Sequence, residues 1–401
     1  MAQPTHQSLG DRSLAFALLR DCCQTPWGGK TGQLTTPSIP IKPGFPWAIL
    51  IELAQWHGVL PLAYHGLKQH DWPKIPPTIQ QQLTALFHQQ LQRNAQLLLT
   101  VKQLLPALAA EGLPILPIKG VLFALSVYGN LTQRRVRDLD LLVDPEKLPA
   151  VYGALQRQGY QERDRLSPEQ QARRWATHYE MLLENPATGM QIDLHWRLVP
   201  AYFDCQIPVA HLWQRAKWET HQGITFCQCA PEDLLLILCL NGAKDGWLEL
   251  QRVCDLVACL QRYPDLAWGQ LWQRCHEYRG ERVLLMGLAI ARALFTIELP
   301  PWLIAAMEGD RTVAHLSGQI CQQLESGLCL TPSVIEQDLF PLQLQKDWAS
   351  RGRSLLTLLL PINERDLAWI ALPPWLYWLY YPLRMLRLLV KYPLWRIKGG
   401  E

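Results

Sequence analysis

The clearest change in hydrophobic pattern along the chain predicts a compact strand, turn, helix and strand unit. Residues 114–118 form an apolar run of strand length, which ends at a turn made by Lys119 and Gly120. Residues 121–128 predict a short helix, and residues 136–143 predict a second strand with apolar residues at most positions. This unit is the part of the sequence with the strongest indication of an α/β arrangement.

The second predicted strand carries two carboxylates. Asp138 and Asp140 are two residues apart, so on a strand they point to the same face. Leu139, Leu141 and Leu142 are core residues, which places both charges at the edge of an apolar sheet, where burial is costly without a cation or hydrogen-bond donors. A divalent metal, whose preferred ligands are carboxylate oxygens, is the favoured interpretation. A surface strand with solvated acids is the alternative.

A predicted β-hairpin follows and supplies a third acid. Residues 179–184 and 190–196 are apolar runs joined by an Asn-Pro-Ala-Thr-Gly turn. Asp193 and His195 share one face of the second strand. If this strand lies next to the Asp138–Asp140 strand, the three carboxylates converge at one edge of the sheet. Three carboxylates can hold two Mg²⁺ ions, with Mn²⁺ as an alternative ion, and such ions bridge the phosphates of a nucleotide.

The turn before the acidic strand fits the same chemistry. Gly120, at the entry to a helix, allows backbone N–H groups to approach a phosphate closely. Lys119 beside it can supply a point charge for that phosphate.

Helical patterns dominate the rest of the chain. A long helix is predicted from Thr78 to Ala110, after a Gly-, Pro- and Thr-rich loop at 25–46, and helices are predicted throughout the chain from about residue 205 onward. We therefore predict an α+β fold with a small mixed sheet and flanking helices. The predicted parts are an N-terminal helical region at 1–110, an α/β core at 111–204, a C-terminal helical domain at 205–365 and an aromatic and basic tail at 366–401.

Composition narrows the functional classes. The 401 residues are 49% hydrophobic and 18% charged, with a net charge of +3, so no bulk DNA binding is expected. The first residues lack the pattern of a secretory signal, and the eleven cysteines are scattered, so we expect buried, reduced thiols in a cytoplasmic protein. The pair Cys227 and Cys229 has no second pair at zinc-ligand spacing.

The motifs resemble those of the nucleotidyltransferases of the DNA polymerase beta superfamily, and more narrowly an uncharacterised bacterial nucleotidyltransferase family. The residues that carry the resemblance are Lys119-Gly120, Tyr128, Arg134, the stretch 138–143 and the stretch 193–196. It extends upstream to 56–67 and downstream to 243–256, and covers about residues 45 to 395. It implies that Asp138, Asp140 and Asp193 are catalytic and bind two metals, and that Gly120 contacts a triphosphate.

The chain departs from the superfamily pattern at three places. Val121 follows Gly120 where the superfamily usually has a serine or a second glycine, and 18 residues separate Gly120 from Asp138, which is a longer interval than usual. Asn241 and Asp245 stand where relatives are expected to have histidines.

Several polar residues have two interpretations. Arg134 binds the triphosphate or forms a local salt bridge, and His195 orients Asp193, contacts substrate or is a buried, hydrogen-bonded histidine. Strand alternation places Arg137 on the face opposite Asp138. Lys244, Trp247 and Asp255 contact the base or acceptor, or serve in capping and core packing, which is the favoured interpretation.

The resemblance implies a Mg²⁺-dependent transferase that moves a nucleoside monophosphate from an NTP to an unknown acceptor, which is a small molecule, a protein or an RNA, and releases pyrophosphate. Two alternatives stay open. One is a non-catalytic nucleotide-binding or scaffold protein, and the other is an antitoxin-like transferase that modifies a protein or tRNA.

The C-terminal end predicts an interfacial segment. Residues 367–383 contain no charged residue but are interrupted by three prolines, and five basic residues follow between 384 and 398. The run is too short and too interrupted for a membrane span, whereas Trp and Tyr beside Arg and Lys suit the headgroup region of a bilayer. One interpretation is therefore peripheral contact of 367–398 with the inner face of a membrane. The other is packing on the helical domain or on a protein partner.

Overall fold

A computed structural model describes residues 6–24, 39, 41–70, 72–162, 166–329, 334–359 and 374–383. It confirms the predicted α+β class. The main sheet has four strands in the order β1-β2-β4-β3: β1 (Leu116–Pro117), β2 (Leu139–Leu142), β3 (Glu180–Asn185) and β4 (Met190–His195). The central pair β2 and β4 is parallel, whereas β1–β2 and β3–β4 are antiparallel. The sheet is therefore mixed, as predicted.

Four helices precede the sheet: α1 (His6–Cys22), α2 (Trp47–Trp56), α3 (Leu60–His70) and α4 (Pro77–Ala110). Helix α4 begins with a proline at its first position and ends before Gly112, whose φ of +70° suits glycine. Its buried residues, from Leu83 to Leu108, recur mostly at intervals of three, four or seven, so one face of the helix packs inward. The predicted loop at 25–46 lies largely outside the described residues.

Within the α/β core, three helices connect the strands: α5 (Gly120–Ser126), α6 (Leu148–Arg157) and α7 (Pro168–Thr177). Ser167 and Gln170 cap the start of α7 reciprocally. After α6, an isolated bridge joins Gln161 to Glu184 of β3.

The prediction of helices throughout the chain from residue 205 onward was wrong for one segment. Strands β5 (Lys217–His221) and β6 (Ile224–Gln228) form a separate antiparallel hairpin. Gln222 and Gly223 join them, both with positive φ, as in the tight turns that favour hairpins. Each strand has only five residues, too few for the alternation to stand out from the helical pattern around it.

The remaining described elements are helical. They are α8 (Val209–Arg215), α9 (Pro231–Lys244), α10 (Leu250–Arg262), α11 (Trp268–Glu277), α12 (Glu281–Leu294), α13 (Pro301–Gly309), α14 (Arg311–Glu325), α15 (Val334–Gln343) and α16 (Trp348–Leu359). Most of α9 is buried all round, which explains its nearly continuous apolar sequence.

Two buried clusters hold the elements together and orient the acidic strand. Leu139 and Leu141 of β2 belong to a cluster with residues of α4, α6 and β6. The other cluster joins the N-terminal helices to α8–α14. Because side chains alternate along β2, Asp140 faces away from the Leu139–Leu141 cluster, toward a cleft that residues of α9 and α10 also line.

The cysteines are almost all buried. All eleven cysteines lie among the described residues, none of them forms a disulfide there, and ten are buried, which confirms the expectation of buried thiols. Among the described residues, no helix is both long enough and apolar enough to cross a membrane. The predicted interfacial segment at 367–398 lies outside the described residues except for 374–383.

Candidate metal and nucleotide site

The three predicted acids converge, because the two strands that carry them are neighbours. In the parallel register of β2 and β4, Asp140 lies directly opposite Asp193. Asp138 precedes Asp140 by two residues and lies just before the first residue of β2. One carboxylate oxygen from each of the three residues lies within 4.8 Å of the other two. The convergence that the sequence made conditional on strand order is therefore present.

Two of the three carboxyl groups lie in surroundings that disfavour their ionisation. Burial, followed by the charges of Asp140 and Asp138, raises the pKa of Asp193 to about 8. Burial and the charge of Asp140 also raise the pKa of Asp138. For Asp140, burial opposes ionisation, but Lys119 and His195 outweigh it and hold the pKa below its ordinary range. A site that disfavours ionisation of two clustered acids fits a divalent cation, which would supply the missing positive charge.

Lys119, which the sequence places at the glycine turn, forms an ion pair with Asp140. Its Nζ lies 3.3 Å from Asp140 Oδ1, and its side chain is only 7% exposed. The ammonium group therefore lies against the acids, at the point where the chain turns into α5.

Gly120 brings the backbone close to the acidic strand. Its φ is +79°, and a Cβ at this position would lie 3.3 Å from the carbonyl oxygen of Asp138. A side chain here would have to strain the backbone and push against β2. The glycine is therefore explained by both its conformation and its close approach to the acids.

His195 is buried behind the acids. Its Nε2 lies 3.5 Å from Asp140 Oδ1 and its Nδ1 lies 3.2 Å from Glu180 Oε2, with the side chain 1% exposed. The structure shows a buried histidine with Asp140 rather than Asp193 as its neighbour, and neither ring nitrogen forms a hydrogen bond within the described residues. His195 therefore lies between the carboxylates of Asp140 and Glu180.

Arg134 forms a local salt bridge. Its Nε and Nη2 each donate to a carboxylate oxygen of Asp255 in α10 at 2.8 Å, and the Tyr128 hydroxyl donates to the same carboxylate at 2.8 Å. Arg134 Nη1 also donates to the carbonyl oxygen of Gly120 at 3.4 Å. This buried network connects α10 to the glycine turn, so Asp255 has a structural contact rather than an exposed position.

The acids open into a cleft with a charged lining. The cleft is lined by Lys119, Arg134, Arg135, Arg137, Asp138, Asp140, Glu180, Asp193, Lys244, Asp245, Glu249, Gln251 and Arg252. Six of these side chains are basic and six are acidic, so the lining is electrically balanced when all are ionised. Two divalent cations would give it a surplus of positive charge, which complements a triphosphate.

Arg137 lies at the cleft and is largely exposed. Arg137 and Asp138 both lie before the first residue of β2, so strand alternation does not apply to them. The Arg137 side chain is 56% exposed, but it lines the same cleft as Asp138 and donates to Glu249 Oε1 at 2.8 Å.

Trp247 and Lys244, two residues of the helical region, lie in different surroundings. Trp247 is fully buried against Gly242 and Gly287, where any Cβ would collide with its ring, so it serves in core packing. Lys244 lines the cleft, with its Nζ 3.4 Å from Glu180 Oε2 and 5.0 Å from the ring centre of Tyr179.

Sequence reasoning missed Glu180, Glu249 and Arg252 as cleft residues. Glu180 lies opposite His195 in the β3–β4 register. The predicted hairpin, with its register assigned, would therefore have placed Glu180 beside the site. Glu249 and Arg252 lie at the start of α10, and only long-range packing brings them to the cleft.

A small mixed sheet that gathers three carboxylates beside a glycine turn is the arrangement that the motifs predict for a nucleotidyltransferase. A family model described as "Uncharacterised nucleotidyltransferase" matches residues 43–296, more than half of the chain, and the chain belongs to this family. It is therefore a transferase. The matched region includes every acid of the site and ends well before the residue 395 that the motif resemblance suggested. Comparisons with curated proteins and with solved structures gave no significant match.

Proposed function

We propose that the protein transfers a nucleoside monophosphate from an NTP to a hydroxyl or phosphate acceptor, with Mg²⁺ as the cofactor. The observation that supports this most strongly is the group of three carboxylates with oxygens within 4.8 Å: Asp140 and Asp193 lie on two adjacent parallel strands, and Asp138 directly precedes the first of them. Membership in a nucleotidyltransferase family supports the reaction class. The acceptor is a small molecule, a protein or an RNA, and the last two include the antitoxin-like alternative.

Asp138, Asp140 and Asp193 are the residues that would hold the cation, with two Mg²⁺ ions proposed and Mn²⁺ as a substitute. When bound, these ions lower the pKa of the acceptor oxygen and neutralise charge on the leaving pyrophosphate. In the reaction, the acceptor oxygen forms a bond to the α-phosphorus, and the bond from that phosphorus to the bridging oxygen of the β-phosphate breaks. Pyrophosphate leaves with the bonding electron pair, and the acceptor proton passes to solvent.

The surrounding residues would position these groups. His195 restrains Asp140, and Arg134 restrains the carbonyl oxygen of Gly120. With the turn fixed, the absence of a side chain at Gly120 leaves room for phosphate oxygens near the backbone. The ammonium group of Lys119, which pairs with Asp140, could instead pair with a bound phosphate. Positioning and electrostatic stabilisation would thus supply most of the rate.

Label transfer tests this proposal. The protein is incubated with each α-labelled NTP, Mg²⁺ and cell extract, and labelled products are separated by size and charge. Wild type is compared with Asp138→Asn/Asp140→Asn, which keeps side-chain size but removes two ligand charges. Glu146→Gln, an exposed acid near β2, is the matched control. We expect labelled product with wild type and with the control, and its loss with the double variant. Transfer that survives the double variant would refute the site assignment.

The Lys119–Asp140 ion pair supports one alternative. An ammonium group 3.3 Å from Asp140 Oδ1 supplies part of the charge that a cation would bring. If this pair persists with nucleotide bound, the protein is a non-catalytic nucleotide-binding or scaffold protein. NTP binding in the presence of Mg²⁺ without label transfer to any extract component would identify this case.

We also propose that residues 367–398 contact a membrane surface. Within the described part of this segment, Trp378 and Tyr381 are 63% and 46% exposed, as expected for aromatic side chains at a bilayer interface. Flotation with liposomes that contain anionic lipid, comparing the full chain with a chain that ends at Asp366, tests this. Equal flotation of the two chains would remove the membrane proposal.

A further inference from the structure

The charged side chains of the cleft form two groups with different partners. Around the acids, four carboxylates lie with two lysines: Asp138, Asp140, Asp193 and Glu180 with Lys119 and Lys244. The rest of the charged lining consists of four arginines and two acids: Arg134, Arg135, Arg137 and Arg252 with Asp245 and Glu249. The first group suits cations, whereas the second suits an anion. The proposed function uses mainly the first group.

Within the arginine group, two guanidinium groups share one carboxylate. Arg137 Nη2 donates to Glu249 Oε1 at 2.8 Å, and Arg135 Nη2 lies 3.6 Å from the same oxygen. Glu249 immediately precedes α10, so its carboxylate also lies near the positive end of that helix. A single carboxylate therefore occupies a position with more positive charge than it neutralises.

Uncharged hydrogen-bond partners hold Arg135 in position. Its Nη1 donates to the carbonyl oxygen of Gln55 at 2.6 Å, and its own carbonyl oxygen accepts from Gln251 Nε2 at 3.0 Å. A Cβ at Gly58 would lie 2.9 Å from Arg135 Nη2 and 2.4 Å from Gln251 Oε1, so a side chain there would displace both groups, and the φ of +73° at Gly58 also favours glycine.

The charge around Arg135 is consistent with an anion site. Burial, followed by the charge of Arg137, lowers the pKa of Arg135 to about 10, so the group remains protonated at neutral pH while its neighbours repel it. Glu249 alone does not neutralise both guanidinium groups. An anion with more than one negative charge would therefore be attracted to Arg135.

We propose that Arg135 and Arg137 bind a phosphate group of the substrate, and that Glu249 occupies this place when the substrate is absent. A phosphate carries more charge and more acceptor oxygens than a carboxylate, and guanidinium groups bind it through paired N–H donors. Glu249, whose side chain is 21% exposed, is free to move toward solvent as the phosphate enters. The inference rests on the proposed function for the identity of the substrate, and the phosphate belongs either to the triphosphate or to the acceptor.

Calorimetric binding of inorganic tripolyphosphate in EDTA tests this inference without metal and without transfer. Arg137→Ala is expected to weaken binding roughly tenfold, because a charge-assisted contact is lost. Glu249→Gln is expected to tighten binding several-fold, because the competing carboxylate is gone. Glu308→Gln is the matched control: Glu308 is exposed and forms a similar ion pair with Arg292, so its change removes the same charge elsewhere.

The source of the phosphate follows from competition. If it belongs to the triphosphate, ATP displaces tripolyphosphate, and methyl phosphate binds much more weakly. If it belongs to the acceptor, methyl phosphate binds in an Arg137-dependent way and ATP does not displace it. The inference is overturned if neither tripolyphosphate nor methyl phosphate binds in an Arg137-dependent way. It is also overturned if Glu249→Gln and Glu308→Gln change the affinity for tripolyphosphate equally. Because no reaction is measured, failure of label transfer would leave this result unaffected.

Discussion

Lys119 Nζ lies 3.3 Å from Asp140 Oδ1, so a lysine at the glycine turn reaches the acid that lies opposite Asp193 across the β2–β4 pair. The lysine and a divalent cation would both be attracted to Asp140. This relationship makes the turn and the acids parts of one electrostatic unit. Changes at Lys119 should therefore alter metal binding directly.

Lys119→Met is expected to increase affinity for a divalent cation by about tenfold, because it removes a positive charge beside a ligand oxygen. Mn²⁺ binding, followed by electron paramagnetic resonance of the free ion, measures the change. Lys147→Met, which alters an exposed lysine downstream of β2, is the control and should have little effect. Unchanged or weaker Mn²⁺ binding by Lys119→Met would show that the lysine does not oppose the metal.

The raised pKa of Asp193 predicts that metal-free protein loses stability as pH rises. The folded-state pKa is about 8 against an ordinary 3.8, so the folded protein holds the proton that the unfolded chain loses. The stability that the Asp193 proton contributes is fully present below the pKa of this group in the unfolded chain. It is lost as the pH rises through the pKa of the group in the folded protein. Wild type should lose about 3 kcal/mol relative to Asp193→Asn between pH 6 and pH 9, at about 1.4 kcal/mol per unit up to the folded pKa.

Urea unfolding in EDTA at the two pH values measures this difference. Because protonated aspartate resembles asparagine in charge, the two proteins should be close in stability at pH 6, and the variant should be the more stable at pH 9. A constant difference across this range would mean that Asp193 ionises normally.

Mg²⁺ binding should release a proton from Asp193. At pH 7 this carboxyl group is mostly protonated, and a bound cation requires the carboxylate, so about one proton should leave for each metal that Asp193 binds. Calorimetry in two buffers with different ionisation enthalpies measures the number released. Affinity should rise with pH and level off above about pH 8. The Asp193→Asn variant should release about one proton fewer than wild type, because the pKa of Asp138 is also raised and this group can still lose a proton. Equal release by both proteins would assign the proton to another group.

The buried pair of Arg134 and Asp255 should be important for stability. Both side chains are 5% exposed or less, and Asp255→Ala would leave a buried guanidinium without its carboxylate, at a cost of about 3–5 kcal/mol in the free energy of unfolding. Glu308→Ala breaks an exposed arginine–glutamate pair and should cost less than about 1 kcal/mol. Chemical denaturation compares the two. Similar small losses would contradict the role of this network in holding the glycine turn.

The sequence was most informative where local periodicity determines orientation. The period of two placed Asp193 and His195 on one face, and the Asn-Pro-Ala-Thr-Gly turn predicted the β3–β4 hairpin. The parallel pairing of β2 with β4 is not encoded in either strand's pattern, so the convergence of Asp140 and Asp193 could only be stated as a condition.

The missed features depend on long-range packing or short signals. Glu249 reaches the cleft because α10 packs beside the glycine turn, and the chain separates it from Arg137 by more than a hundred residues. The β5–β6 hairpin was missed although its Gln222-Gly223 turn has the residue type that such turns favour. Arg137 precedes β2, so strand alternation does not determine on which side of Asp138 it lies.

The central claim is transfer of a nucleoside monophosphate, and paired labelling of the NTP measures it most directly. Wild-type protein is incubated with extract, Mg²⁺ and NTP labelled either at the α- or at the γ-phosphate. The account predicts α label on an acceptor and γ label in pyrophosphate, with both signals lost in Asp138→Asn/Asp140→Asn. Label from the γ-phosphate on the acceptor would instead show phosphoryl transfer and would contradict the account.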